Sequence, residues 1–319
     1  MNELKNRAFA LLNAWTTGEV SALEAYIAPQ FEEIDRPEAT AVGLEGLGRK
    51  LALFHKAHSN VMLSVRKQIV DGDLVCTQWL ITATARTPDD PKATQPQLVH
   101  FPGMSWTYFA NGKIVQNRVY RDIVGQLMQR GFQWAPGGAK TPAHQETHQV
   151  AQSGGPGMST QGPPADIGTT SSPKALIRQL VAAASSGSPY EAFMLTHLAE
   201  SVQGAVSPRY LLNKAQTIQR FAELFAMTAG GTVALVTAAE EGRSACARVV
   251  LTQKKHNLKY TQKLNPLAEV VVDVSLWLEI NDAGQIVQLH LVGDMLTPGL
   301  AQGMKMVKAP RPVVENAAA

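Results

Sequence analysis

The sequence predicts an α+β fold built twice in one chain. Each half places helical periodicity first and strand-like alternation after it, the order of an α+β domain. Two blocks also recur in the same order: DGDLVCTQWLIT at 71–82 matches EGRSACARVVLT at 241–252, and GKIVQNRVYRD at 112–122 matches GQIVQLHLVGD at 284–294. Trp106 and Trp277 stand a few residues before the second block of each half. Between the halves, residues 135–173 turn to Gly, Pro, Ser, Thr and Gln, too poor in apolar groups to offset the entropy of ordering, and should be a disordered linker. The 319 residues fit two domains of roughly 150 residues each. The chain divides into a first domain at 1–134, the linker, a second domain at 174–308 and a flexible tail at 309–319.

The elements follow in order. Residues 4–15 put Leu4, Ala8, Leu11, Leu12 and Trp15 on one helical face. Ser21 with Glu24 makes a capping box for a short helix at 22–27. Residues 46–57 form a third helix through Leu47, Leu51 and Phe54. Strands are expected at 61–70, 74–85, 98–109 and 113–120. Asp71-Gly72 and Asn111-Gly112 supply the positive φ that tight hairpins need. A closing helix at 123–130 stops at Gly131. The second half repeats the plan, with helices at 174–184 (Ser172 as cap and Pro173 at its first position), 190–200 and 214–228, then strands at 232–239, 244–253, 268–280 and 286–293. A curved antiparallel sheet wrapped around three N-terminal helices can enclose a pocket between them.

Composition narrows the classes. Apolar residues are 45% of the chain, enough for a core, and a net charge of +3 gives no reason to expect nucleic acid or an anionic membrane as partner. The basic run at 254–263 reads as a solvated hairpin tip. Cys76 and Cys246 lie in apolar strand-like runs and read as core residues of a protein in a reducing compartment. No apolar run approaches the ~18 residues of a membrane span, and MNELKNRAFALLNAW reads as a helix rather than a secretion signal, so a cytoplasmic protein is expected. Zinc-ligand spacing, a Gly-x-Ser-x-Gly elbow, a phosphate-binding glycine loop and His-Glu-x-x-His are all missing from the sequence.

Several residues carry a more specific signal. Gly72 and Asp73 turn into a strand holding Trp79. A Gly-Lys-Ile-Val start stands at 112–115, and Asp122, Gly125, Leu127, Gln129 and Gly131 form an Asp-x-x-Gly-x-Leu-x-Gln-x-Gly ending. In these features residues 9–131 resemble the SnoaL-like polyketide cyclases of the nuclear transport factor 2-like superfamily. Residues 175–303 resemble them more loosely, with Asp294 at the place of Asp122 and Pro298 interrupting the last helix. The resemblance implies two cone-shaped domains and an intramolecular aldol ring closure with neither metal nor organic cofactor. It further implies a small, apolar, keto-bearing substrate and an aspartate in a deep apolar pocket as acid/base. It also leaves room for a binding or interaction module of the same fold, with the halves docked as an intramolecular pseudo-dimer or on a second chain.

Transferred by motif position, the aspartate is Asp122, which also suits a helix N-cap. Asp294 has the same two readings. Asp35, in FEEIDRP two residues before Pro37, is the second catalytic candidate, since the second half aligns Val202 there and a polar group in one copy fits a single active pocket. Arg118 and Tyr120 alternate with Asp122 and would share its face, or would form an outer cross-strand pair. Trp106 and Tyr108 would stack on a planar substrate or pack in the core. His100 is a lone strand histidine, and Trp79 is most simply core. With these, the candidate substrate-binding set is Trp106, Tyr108, Arg118, Tyr120, His100, Trp79 and Asp294.

Overall fold

A computed structural model describes residues 2–35, 40–86, 97–136, 172–185, 190–206, 211–226, 232–253, 270–293 and 304–308. The expected linker beyond Pro136, the basic run at 254–263, Asp294, Pro298 and the tail from 309 lie outside the described residues.

Helix α1 (Glu3–Thr17) begins at Asn2, whose side chain accepts from the Leu4 N–H at 2.9 Å, and ends at Gly18 with φ 77°. It buries Ala8, Leu11, Leu12, Ala14 and Trp15. The helix expected at 22–27 is instead a single 3-10 turn, Ser21–Leu23, followed by strand β1 (Ile27–Asp35). The strand escapes a sequence reading because its inward positions alternate Phe31, Glu33 and Asp35, so charge stands where apolar residues would mark a core face. The short β2 (Ala41–Val42) and helix α2 (Gly43–Ala57) follow. An antiparallel meander comes next: β3 (His58–Asp71), β4 (Leu74–Ala85), β5 (Gln97–Ala110) and β6 (Lys113–Arg121). Its tight turns place Gly72 at φ 59° and Asn111 and Gly112 at 50° and 75°. Helix α3 (Ile123–Gln129) and β7 (Phe132–Pro136) complete this half.

The second half comprises α4 (Pro173–Ser185), α5 (Tyr190–His197), β8 (Leu198–Val206), α6 (Lys214–Ala226), β9 (Thr232–Glu241), β10 (Ser244–Gln253), β11 (Val270–Ile280), β12 (Ile286–Gly293) and β13 (Met304–Lys308). The helix expected at 190–200 stops at His197, where β8 takes over.

The fold class is α+β, with curved sheets against helices. The first sheet runs β2-β1-β6-β5-β4-β3 and the second β8-β12-β11-β10-β9. Both are mixed rather than wholly antiparallel, because β1 runs parallel to β6 and β8 parallel to β12. The two sheet units fit a duplicated domain. A further pair joins the halves at their ends: β13 lies antiparallel to β7, with Met306 opposite Trp134.

Each sheet packs helices on its inner face. The first core gathers Leu11, Leu12, Trp15, Phe31, Leu47, Leu51 and Trp79, the second Leu176, Leu180, Phe221, Leu276 and Leu289. A third core joins the outer faces of the sheets, where Ile69, Cys76, Met104, Trp106 and Tyr120 meet Ala239, Cys246, Trp277 and Val292. Trp106 Nε1 donates to Ser275 Oγ at 2.8 Å across this seam, and Gln78 Nε2 to His290 Nδ1 at 2.7 Å. Lys5–Glu241, Lys67–Glu279 and Lys174–Asp71 ion pairs rim it. Among the described residues no helix is long and apolar enough to cross a membrane.

Candidate active site

The inner face of the first sheet closes on α1 and α2 around a cavity of about 740 Å³, within the ordinary range for small-molecule sites. Trp15, Leu53, Phe54, Val99 and Phe101 form its apolar wall, and α3 contributes Ile123, Gln126, Leu127 and Arg130 at the mouth. Beneath it Trp79, Ile81 and Val119 line a narrower apolar pit, and Arg121 reaches both.

Arg121 is the last residue of β6. With Asn117 and Val119 it points inward, while Gln116, Arg118 and Tyr120 point to the seam. Its guanidinium binds Asp35 through Nε–Oδ1 at 3.1 Å and Nη2–Oδ2 at 2.7 Å. Lys50, on α2, reaches Asp35 Oδ2 at 2.7 Å and Glu33 Oε1 at 3.1 Å, and Asn117 Nδ2 donates to Glu33 Oε2 at 3.0 Å. Glu33 and Asp35 are both fully buried. Burial pushes the Glu33 carboxyl above its ordinary pKa, with Asp35 adding to this and Lys50 opposing. Burial works against the Lys50 ammonium, but Glu33 and Asp35 hold it above its usual value. Among the described residues two cations and two carboxylates thus form one buried set, and its cationic members, Lys50 and Arg121, face the cavity.

His58 stands on the same wall, at the start of β3. Its Nδ1 donates to the Phe54 carbonyl at 3.0 Å, which leaves the Nε2 lone pair as the acceptor. Phe54 stacks on the imidazole at 4.5 Å and Phe101 meets it edge-on at 5.1 Å. Burial, chiefly, lowers its pKa; the bond to the Phe54 carbonyl opposes this, and the nearby Arg130, His55 and Arg121 lower it further, so the ring is neutral at pH 7. Gln126 Nε2, at the mouth, is buried with no hydrogen-bond partner among the described residues.

The expected site residues separate. Asp35 and Trp79 lie inside the first domain, Asp35 behind Arg121 and Trp79 in the pit wall with Nε1 donating to Ser105 Oγ at 2.8 Å. Trp106, Tyr108, Arg118 and Tyr120 occupy the opposite face, in and around the seam. The strand alternation that carries Arg118 and Tyr120 ends at Asp122, where the backbone leaves the extended region (φ −82°, ψ 77°). Asp122 caps α3: Oδ1 accepts from the Gly125 N–H at 2.7 Å, while Oδ2 is buried without a partner among the described residues. The residues on either side of it, Arg121 and Ile123, line the cavity. His100 is exposed on β5, with Nδ1 at 3.2 Å from Thr82 Oγ1. Among the described residues no group of three or more His, Cys, Asp or Glu is placed to hold a metal.

Residues 7–130 match the family model described as SnoaL-like polyketide cyclase. That stretch of the chain is SnoaL-like. Solved structures similar to the chain include a candidate SnoaL-like polyketide cyclase from Jannaschia sp. CCS1 (17% identity, TM-score 0.33, 39% of this chain and 88% of that one). A candidate polyketide cyclase from Acidithiobacillus ferrooxidans is also similar (22%, 0.36, 40% and 94%). So is a protein of ketosteroid isomerase-like fold from Catenulispora acidiphila DSM 44928 (21%, 0.34, 39% and 92%). No curated protein matches the chain.

The SnoaL-like domain and its neighbour differ at the site itself. In the first sheet Glu32 pairs with Gln116, Glu33 with Asn117 and Asp35 with Val119; in the second Gln203 pairs with Gln288, Gly204 with Leu289 and Val206 with Leu291. The repeated blocks align Gln116 with Gln288. Glu33, Asp35, Asn117 and Arg121 of the SnoaL-like domain therefore have Gly204, Val206, Leu289 and Gly293 at the matching places. This replaces the sequence alignment of Asp35 with Val202; the partner is Val206. A Cβ at Gly204 would stand 2.0 Å from Thr217 Oγ1, so α6 leaves no room there for a carboxylate.

Proposed function

We propose that the SnoaL-like domain is a cofactor-free cyclase or isomerase working by proton transfer on a small, flat, largely apolar keto compound, and that the second domain is its inactive copy. One observation carries this reading: an aromatic-walled cavity with a neutral histidine and a buried-carboxylate-backed arginine on its wall, in a half whose counterpart has Gly and Val in place of Glu33, Asp35 and Arg121.

His58 Nε2 removes a proton from the carbon between two carbonyls, and the electron pair moves onto the enolate oxygen. Arg121 stabilises that oxygen; Asp35 is its positioning residue, holding the guanidinium flat through both donor atoms. The enolate carbon then attacks a second carbonyl of the same molecule, and the His58 imidazolium returns the proton to the new alkoxide. Atoms and charge balance without a co-reactant. The apolar wall limits water, which strengthens the Arg121–enolate interaction. Gln126 Nε2 supplies a donor for a substrate carbonyl at the mouth.

Asp122 is a second candidate for the proton transfer, favoured by its buried, unpartnered Oδ2 between two cavity-lining residues. Parallel variants separate the two. His58→Gln is expected to lower kcat/KM on polyketide-type diketo substrates by about 10²-fold or more. Asp122→Asn keeps the Oδ1 cap and the fold and leaves the rate nearly unchanged. Loss of rate in Asp122→Asn alone transfers the role to Asp122, and turnover unaffected by both variants removes the enzyme reading.

A further inference from the structure

Residues on the outer face of β6 form a charged cluster between the two sheets, away from the cavity. Arg118 keeps only 6% of its surface exposed. Its Nε donates to Gln116 Oε1 at 3.0 Å, and its two terminal nitrogens make no hydrogen bond or ion pair with the described residues. Across the seam Arg248 is satisfied: Nε lies 3.1 Å from both oxygens of Asp273 and Nη2 2.7 Å from Oδ2. Tyr120 Oη also donates to Asp273 Oδ1, at 3.0 Å. Among the described residues Asp273 is the carboxylate whose charge acts on Arg118, and other donors already hold it. Among the described residues, two guanidiniums therefore face one carboxylate, an excess of one positive charge in a largely buried seam. Burial, and then the repulsion of Arg248, push the Arg118 pKa below its ordinary value, yet a guanidinium stays protonated and its charge remains to be balanced. Tyr108 Oη, in the same cluster, is buried without a partner among the described residues.

We propose that Arg118 holds a small oxyanion, a carboxylate or phosphate group, in the seam between the two sheets, as a binding site separate from the cavity of the first domain. The chemistry of the donor set decides the class of ligand. The Nη1–Nη2 edge of a guanidinium presents two parallel donors that match two oxygens of a carboxylate or phosphate. Gln116, bonded to Nε, fixes the plane of that fork, and Arg248 adds a second positive charge opposite. Because Arg118 belongs to one sheet and Arg248 to the other, the anion binds only when the halves are docked, and binding stabilises the docked state.

The test is thermal unfolding of the full chain in sodium phosphate, sodium acetate and sodium chloride, titrated at equal ionic strength near neutral pH. The expected result is a saturable rise in Tm with phosphate or acetate over chloride, the stronger arm telling phosphate from carboxylate. Arg118→Met is expected to lose that response and, in chloride, to melt above the wild type, because it removes a buried charge that lacks a counter-ion. Should Arg118→Met not fold, Arg118→Lys keeps the charge but not the fork, and is expected to bind about tenfold more weakly. Arg130→Gln, on the cavity wall, is expected to respond like the wild type. Three results overturn the proposal: no stabilisation beyond chloride, an unchanged response in the Arg118 variant, or a response lost in Arg130→Gln and kept in the Arg118 variant.

Discussion

His290 shows how much one buried side chain can couple this protein to pH. Its Nδ1 accepts from Gln78, but Nε2 is buried with no partner among the described residues. Burial, with the nearby Arg66 charge adding and Glu279 opposing, pushes its pKa down to about 4. The folded pKa lies below the unfolded value of about 6.5, so the unfolded chain takes the proton first as pH falls. The stability that neutral His290 contributes is complete above the unfolded value and is lost as pH falls toward 4, in total about 3 kcal/mol. Urea midpoints across this window should fall more steeply for the wild type than for His290→Gln. His58 carries the corresponding prediction for activity. As a base it must be neutral, and burial depresses its pKa, so kcat/KM should rise with pH along a limb centred below about 6.5 and then level off. A limb centred above that value would assign the base elsewhere. Asp35→Asn probes the buried set: it removes the carboxylate that Lys50 and Arg121 share, and should destabilise by about 3–5 kcal/mol in denaturant unfolding.

At the scale of elements, β4 and β5 set the floor of the cavity through one close approach. Gly103 on β5 pairs with Trp79 on β4, and a Cβ there would stand 2.4 Å from the Trp79 ring. Gly103→Ala must tilt the indole, break its 2.8 Å bond to Ser105 and deform the pit. The expected cost is about 1–3 kcal/mol of stability, with a shift in the Trp fluorescence maximum; an unchanged spectrum would show that the ring has room to move. Helix α3 is held at the mouth from both ends. Asp122 caps it, and Gln129 clamps it to β5, accepting from the His100 N–H at 2.9 Å and donating to the His100 carbonyl at 3.0 Å. That clamp explains the Gln of the Asp-x-x-Gly-x-Leu-x-Gln-x-Gly ending in physical terms: it ties the helix that lines the cavity to the sheet behind it.

For the whole molecule, the seam determines how the halves behave as a unit. Trp106 and Trp277 are fully buried in it, and Trp106 is tied to Ser275 across it. An engineered protease site between residues 137 and 171 should, once cut, leave two fragments that co-elute in size-exclusion chromatography. Trp106→Asp places an unpaired carboxylate in that core and should let the cut fragments separate. Separation without the substitution would mean that the covalent connection, not the seam, holds the halves together. The antiparallel β7–β13 pair adds a second tie, bringing the end of the second half against the strand that follows α3. The halves thus contribute differently to one molecule, the first holding the cavity and the second packing against its outer face.

Local physics made much of this legible in the sequence. Periodicity placed α1, α2 and the β3–β6 meander, and the Asp-Gly and Asn-Gly turns marked its hairpins, because these signals depend only on neighbouring residues. The two blocks that recur pointed to a fold built twice, and the two sheet units fit a duplicated domain. The sequence could not say which face of β6 looks inward, since both are buried and apolar residues fall on each: Val119 inside, Tyr120 in the seam. That face decides the site. It sends Arg121, rather than Arg118, to Asp35, 86 residues away in sequence, and it leaves Asp122 to cap a helix. Strand β1 stayed hidden for the same reason. Its carboxylates face a core where Lys50 and Arg121 neutralise them, and a buried charge is recognisable only once its partners, distant in sequence, are known.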